Sequence, residues 1–132
     1  MILLNNLYTI IAESHFDISH DYIIHMNAEH FIYKAHFPGE PITPGVCILQ
    51  IAHELIQNTL NRPLKIMSVK NAKFMNIISP DKNSEVHYTI SKITDTFAAD
   101  DIEARMVKAQ VAVYDSMGVV YAKLSLIMKP EM

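Results

Sequence analysis

Cysteine is almost absent from this sequence of 132 residues, since Cys47 is the only one. A chain with one cysteine cannot form an internal disulfide, and it cannot build a zinc site from several thiolates. Cys47 lies in an apolar stretch, so its expected role is that of a small core side chain. Such cysteine usage fits a reducing compartment, and we expect a cytoplasmic protein.

A large excess of either charge is also missing. The chain has 11 Lys and Arg residues against 14 Asp and Glu residues, which gives a formal net charge of −3. Because nucleic-acid binders usually carry a basic excess, we expect no nucleic-acid partner. Half of the residues are apolar and 19% are charged, which is typical of globular proteins. We therefore expect one domain over residues 1–132.

Long apolar runs are absent too. The run at residues 46–49 is far shorter than the roughly 20 residues that span a membrane, so we predict no membrane span. The first residues, Met-Ile-Leu-Leu-Asn-Asn, lack the basic start and the extended apolar region of a signal peptide. We therefore expect no leader.

Glycine is scarce, but two of the three glycines and three of the six prolines lie within residues 36–45, His-Phe-Pro-Gly-Glu-Pro-Ile-Thr-Pro-Gly. Proline fixes φ and glycine permits tight turns, so this loop should be stiff and should lead into a helix near Gly45. Amides at a helix start can bind a developing negative charge. His36 is thus a candidate base and the Gly45 amide a candidate oxyanion donor. The alternative is a turn before a core helix with His36 packed against it.

Hydrophobic periodicity predicts an α+β protein whose antiparallel sheet wraps around one long central helix. We expect strands at residues 22–26 and 30–35 and the helix at about residues 45–61, ending before Pro63. Period-two alternation predicts further strands after the helix. The strands fall at residues 64–74, 86–90, 109–113 and 120–128, and the turns fall at residues 79–83 and 115–118.

A polar stripe on the predicted helix needs explanation. Its members share one helical face, and they are Gln50, His53, Glu54, Gln57 and Asn61. The later members are most simply a solvated face. Gln50 lies where the helix is otherwise apolar, and a buried polar side chain there needs a partner. It could form a structural hydrogen bond, contact a substrate or simply be exposed.

Around residues 36–45 the sequence resembles the β-hydroxyacyl-ACP dehydratases of fatty-acid synthesis. Their hallmark, His-Phe-Pro-Gly-x-Pro-x-x-Pro-Gly before a buried helix, matches residues 36–45 at every fixed position. Supporting similarity lies at residues 30–34, 71–74 and 79–81. The resemblance implies a hot-dog fold and a homodimer whose sheets join edge to edge, with sites at the interface, or a higher assembly built from such dimers. It also implies that no metal or organic cofactor is needed.

The resemblance implies that a 3-hydroxyacyl thioester on acyl carrier protein loses water to give a trans-2-enoyl thioester. His36 would remove the C2 proton, and the Gly45 amide would hold the carbonyl oxygen. Phe37, Pro44 and Val46 would bind the substrate. Basic side chains near the site would meet the acidic carrier protein; we expect Lys65, Lys70 and Lys73, with Lys34 and Arg62 behind them.

The chain departs from the family at one position. The family carries a helix acid fourteen residues after the histidine, contributed to the site by the other subunit, but this chain has Gln50 there. Glu54 lies one turn later, where the family often has Gln, so the two side chains are exchanged. Gln50 and Glu54 are therefore both candidate catalytic residues, although the shift of about 6 Å argues against simple substitution.

Three functions fit this departure. The first is a divergent dehydratase in which His36 does most of the proton transfer and Gln50 orients the leaving water. The second is a weak or inactive hot-dog subunit that binds acyl carrier protein or pairs with a complete paralogue. The third is an acyl-thioesterase, although that chemistry usually needs a carboxylate near Gln50.

Overall fold

Six strands and one long helix form most of the chain described by the computed structural model, which covers residues 2–35 and 39–131. The strands are β1 Tyr8–His15, β2 Ser19–Met26, β3 Leu64–Phe74, β4 Glu85–Asp95, β5 Val107–Tyr114 and β6 Val120–Pro130. The helices are α1 Ile32–Ala35 and α2 Gly45–Leu60, with a 3₁₀ turn at Ile102–Ala104.

The strands form one antiparallel sheet in the order β1-β2-β4-β5-β6-β3. The buried side chains of the sheet point toward α2, whose own buried residues are Cys47, Ile48, Ile51, Ala52, Leu55 and Ile56. The predicted α+β arrangement, a sheet around one long helix, is therefore confirmed. The strands β1 and β3 are the two edges of this sheet.

The central helix begins and ends where its sequence predicts. Pro44 takes an extended conformation as the N-cap, and Asn61 ends the helix in the left-handed region with φ 52°, a conformation that asparagine tolerates well. On the sheet side the hydroxyl of Tyr88 donates to the Ile48 carbonyl at 3.0 Å. Burial raises the pKa of Tyr88 well above its ordinary value, so this hydroxyl stays protonated and remains a donor.

The period-two predictions after the helix are confirmed. β3 occupies residues 64–74 as predicted, and alternating side chains of β4 and β5 are buried. The predicted hairpin turn joins β5 to β6, with the Asp115 carboxylate accepting the Met117 and Val119 amides at 2.9 Å each. Local alternation is a reliable guide for β4, β5 and β6 because one face of each of these strands packs on the core, whereas β3 buries only Leu64.

Two expectations near the start of the chain fail. Residues 30–35 were predicted to be a strand, but they form a turn and the short helix α1. The alternation there is misleading, since Tyr33 is buried while Phe31 is 71% exposed. β1 has no counterpart among the predicted strands. It is an edge strand with mostly exposed side chains, so it lacks the alternation that marks the other strands.

Within residues 2–35 and 39–131, no helix combines the length and apolarity that crossing a membrane would require.

Candidate functional site

The loop that leads into α2 is held by a buried threonine. The Thr43 amide donates to the Ile78 carbonyl at 2.9 Å, and its hydroxyl lies 3.0 Å from the Tyr33 hydroxyl. Burial raises the pKa of Tyr33, so the phenol stays neutral. Two predicted site residues, His36 and Phe37, lie outside the described residues.

Gly45 is the first residue of α2, as predicted. Its amide forms no hydrogen bond within the described part of the chain, and no side chain caps this helix end. The ring of Phe74, from the end of β3, lies over Gly45 so closely that a Cβ there would be 3.1 Å from Phe74 Cζ. The arrangement leaves a donor available for an oxygen that carries negative charge.

Gly45→Ala should lower the free energy of unfolding by about 1 kcal/mol, because the added methyl crowds the Phe74 ring. Phe74 is half-exposed, so the ring can turn outward and limit the cost. Thermal unfolding of Gly45→Ala, Phe74→Leu and the double variant measures the coupling between the two positions. The two effects should be less than additive; strict additivity would contradict the contact.

The Glu54 carboxylate accepts hydrogen bonds from the stretch of residues 2–7, which we call segment 2–7. Oε2 accepts the Leu3 amide at 2.9 Å and Oε1 accepts the Leu4 amide at 2.8 Å. The Tyr8 hydroxyl donates to Oε1 at 3.1 Å. Burial, followed by the Glu54 charge, raises the pKa of Tyr8 well above its ordinary value, so the phenol remains a donor. Glu54 is thus a structural acceptor rather than a solvated side chain.

Gln50 points its amide nitrogen at this same carboxylate. Its Nε2 donates to Glu54 Oε2 at 2.9 Å, across one turn of α2. A carboxylate can only accept hydrogen bonds, so the contact fixes which end of the Gln50 amide faces Glu54. The residue is half-buried. The structure therefore brings the two exchanged residues into direct contact, which helical spacing allows but does not require.

The rest of the polar stripe connects α2 to the edge strand β3. His53 Nε2 lies 2.6 Å from the Leu64 carbonyl, and Gln57 Oε1 accepts the Leu64 amide at 2.8 Å. These side chains, with Gln50 and Glu54, line a polar cavity of about 560 Å³. His53 and Gln57 therefore satisfy backbone groups at the start of β3 instead of forming a plain solvated face. Asn61 alone is exposed, as the helix cap.

An apolar cavity of about 670 Å³ opens beside the start of α2. Val46 and Cys47, which follow Gly45, form part of its lining, and Phe31 and Ile32 contribute from the α1 region. Burial raises the pKa of Cys47, so its thiol is a packing group and not a ready nucleophile. Within the described ranges, no three His, Cys, Asp or Glu side chains are placed to hold a metal ion.

The sequence pattern does not predict several residues of this region. Phe74, Tyr8 and segment 2–7 were not predicted to lie near the helix start. Phe74 belongs to residues 71–74, which already carried some similarity to the dehydratases, so that signal existed. Tyr8 and segment 2–7 gave none, because their contacts with Glu54 are mainly made by backbone amides.

The chain matches known proteins in sequence. Residues 12–110 match the ApeI-like dehydratase family. Among curated proteins, the chain is 31% identical over 71 residues to the 3-hydroxyacyl-(acyl-carrier-protein) dehydratase FabZ of Latilactobacillus sakei, over 48% of this chain and 51% of the relative. The matched part thus spans about half the length of such relatives.

Solved structures share the fold over most of the chain. A chain of the dehydratase heterocomplex ApeI:P from Xenorhabdus doucetiae superposes with a TM-score of 0.65 and 14% identity, covering 91% of this chain and 96% of that chain. The thioesterase HI1161 of Haemophilus influenzae superposes with a TM-score of 0.60 and 11% sequence identity, covering 93% of this chain and 78% of that chain. With its sheet around one central helix this protein has the hot-dog fold, and by its family match over residues 12–110 it belongs to the ApeI-like dehydratases.

Proposed function

We propose that this chain dehydrates 3-hydroxyacyl thioesters, carried on acyl carrier protein, to trans-2-enoyl thioesters. The main observation behind the proposal is the Gly45 amide, which has no acceptor within the described chain and directly precedes Val46 and Cys47, two residues that line an apolar cavity. A curated relative acts on 3-hydroxyacyl groups on acyl carrier protein, as its name states. An oxyanion donor beside an apolar cavity suits a thioester with a hydrocarbon chain.

In this mechanism His36 takes the proton from C2 while electrons move toward the thioester oxygen. The Gly45 amide donates to that oxygen, and the partial positive charge at the start of α2 stabilises it. The C3–O bond then breaks, the C2–C3 double bond forms, and the leaving hydroxide needs one proton to become water. The imidazolium of His36 can return that proton, so the atoms balance without a second titrating group.

Gln50 orients the leaving group in this proposal. An amide does not titrate at ordinary pH, but it can donate to or accept from a hydroxyl. Its contact with Glu54 holds the side chain in one orientation, which reduces the entropy lost when substrate binds. For Glu54 we propose an indirect part in the site, because its carboxylate already accepts hydrogen bonds from four donors of the described chain.

Dimerisation is part of the proposal, because the implied sites lie between subunits. β3 is an edge strand of 11 residues, and long exposed edges readily pair with another strand. Met67, Val69 and Phe74 on this strand are between 40% and 49% exposed. Edge-to-edge pairing of β3 with a second β3 would cover them.

A catalytically weak subunit that needs a complete paralogue is the second candidate. The exchange of acid and amide favours it, since Gln50 occupies the acid position and Glu54 binds segment 2–7. One fold neighbour comes from a structure described as a dehydratase heterocomplex. In a mixed dimer, this chain's His36 would face the partner's carboxylate at one site, while Gln50 would occupy the other.

The isolated chain and its co-expressed mixtures with hot-dog paralogues test these functions together. Each purified sample is incubated in D₂O with a 3-hydroxyacyl carrier-protein thioester. Water loss by the isolated chain supports the dehydratase. The second candidate predicts two results. The isolated chain incorporates deuterium at C2 without losing water, and one of the mixtures does lose water. Release of the thiol would identify the third candidate, a thioesterase.

Positive charge on the β3 side of the sheet should guide the carrier protein. β3, β6 and β5 are fully described, and together they carry six lysines and no Asp or Glu; the lysines are Lys65, Lys70, Lys73, Lys123, Lys129 and Lys108. Lys34 on α1 is exposed as well. Arg62 differs from its neighbours, since it pairs with Asp95 and lies over the Phe97 ring. Its charge is therefore largely compensated.

Replacing Lys65, Lys70 and Lys73 together by Gln should raise KM for the carrier-protein substrate about tenfold with little change in kcat. Electrostatic steering acts on encounter and is weakened by salt, so the variant should also lose most of the salt dependence. The same acyl group on pantetheine alone should show no change. Lys82→Gln, near Glu40, is the control. Unchanged KM in the triple variant would contradict the docking surface.

A further inference from the structure

Segment 2–7 is an ordered part of the region around α2. Leu3 and Leu7 are 5% and 0% exposed. Asn5 has φ 65°, and the Leu7 amide donates to the Leu3 carbonyl at 2.8 Å, so the backbone turns tightly here. Asn tolerates this left-handed conformation better than most residues. The turn places Leu3 and Leu7 at the cavity beside the start of α2.

This segment forms one wall of the apolar cavity. Ile2, Leu3 and Leu7 line one side, and Phe31, Val46 and Cys47 line the others. The volume of about 670 Å³ lies within the usual range for small-molecule sites, roughly 300–1,000 Å³. Val46 lines the cavity and directly follows Gly45, so the cavity is within reach of an acyl chain whose thioester carbonyl meets the Gly45 amide.

One carboxylate holds that wall in place. Glu54 accepts the amides of Leu3 and Leu4, two consecutive backbone donors of the segment. Hydrogen bonds to a charged acceptor are stronger than neutral ones. A neutral amide at this position has one carbonyl oxygen for the donors that now share two carboxylate oxygens, so it cannot satisfy all of them.

We propose that segment 2–7 is the wall of an acyl-chain site and that Glu54 is the positioning residue that keeps this wall closed over the chain. The ligand is a linear hydrocarbon chain joined to a thioester. This inference rests on the proposed function for the identity of the thioester. Glu54 thus helps to bind the acyl chain, while Gln50 takes the position nearer the reacting atoms.

Since the sequence contains no tryptophan, an introduced tryptophan reports ligand binding by its fluorescence without interference from another tryptophan. Ile2 lines the cavity and is 74% exposed, so Ile2→Trp places a single fluorophore at the rim. Met117→Trp, at a turn between β5 and β6 and 85% exposed, is the matched control. The ligands are dodecanoyl and butanoyl pantetheine with an amide in place of the thioester, so no turnover occurs.

We expect dodecanoyl-pantetheine amide to shift the emission of Ile2→Trp to the blue and to leave Met117→Trp unchanged. Adding Glu54→Gln to the reporter should weaken dodecanoyl binding about tenfold and butanoyl binding much less. Hydrogen exchange of the Leu3 and Leu4 amides should become faster in Glu54→Gln. Glu85→Gln, an exposed Glu on β4, should change neither quantity.

Val46→Phe, combined with Ile2→Trp as the single fluorophore, is the second variant, in case Glu54→Gln does not fold. Val46 is 64% exposed, so the larger side chain fills the cavity without entering the core, and dodecanoyl binding should fall more than butanoyl binding. Equal effects on both chain lengths, or an emission shift in Met117→Trp, would overturn the inference. These are binding measurements, so a failure of His36 as the base would leave them intact.

Discussion

His36→Ala should reduce both dehydration and the reverse hydration by about 10²- to 10⁴-fold, the usual contribution of a positioned general base. In the proposed mechanism the same imidazole removes the C2 proton and returns a proton to the leaving hydroxide, so its loss affects both steps. The measurement is turnover of a 3-hydroxyacyl thioester, together with deuterium entry at C2 in D₂O. Both should fall together.

The control for this substitution is His25→Ala, which changes an exposed histidine on β2. It should retain full activity. Thermal unfolding of both variants should stay near that of the wild type, which separates a chemical effect from a folding effect. Wild-type turnover in a folded His36→Ala protein would remove the catalytic interpretation of residues 36–45.

Gln50→Glu should raise dehydratase turnover at least ~10-fold, because it restores a proton donor at the family's acid position. Gln50 Nε2 now lies 2.9 Å from Glu54 Oε2, so the introduced carboxyl would face a carboxylate at hydrogen-bonding distance. Two such groups share one proton, which raises the pKa of one of them. The pair therefore keeps an acidic proton at pH values where an isolated carboxyl has lost it.

The pH dependence checks this explanation. Activity of Gln50→Glu should fall as pH rises through the raised pKa, because the shared proton is then lost, and the wild type should lack this limb. The stability of Gln50→Glu depends on pH in the same direction. The raised carboxyl pKa of the pair is higher in the folded protein than in the unfolded chain. The variant is therefore most stable at low pH and loses stability as pH rises through the pKa of the folded state.

Two further variants separate chemistry from charge. Gln57→Glu adds a negative charge to the same helix face two turns later and should not raise activity. The combined exchange Gln50→Glu with Glu54→Gln restores the usual order of acid and amide, and should also exceed the wild type. Activity of a folded Gln50→Glu protein at or below the wild-type value would show that Gln50 does not occupy the acid position of the site.

The sequence alone determined the central helix and the strands that follow it. Pro44, Gly45 and Asn61 mark the ends of α2 through backbone preferences that act within a few residues. The strands β4 to β6 each have one face on the core, so their buried positions recur with a period of about two and the sequence shows that pattern directly; β3 buries only Leu64. The stretch at residues 36–45 was sufficient to identify the dehydratase resemblance, which the family match later confirmed.

Only the tertiary structure decided what Glu54 and segment 2–7 do. Glu54 accepts backbone amides about 50 residues away, and backbone amides are the same in every residue except proline, so no side-chain pattern announces such a contact. The edge strand β1 was missed for a different reason, since its mostly exposed side chains lack alternation. Phe31 and Tyr33 alternate in the sequence, but the short helix α1 forms there instead of a strand. Local preferences therefore determined α2 and the strands after it, whereas long-range hydrogen bonds and packing decided the structure before α2 and the roles of the polar side chains on α2.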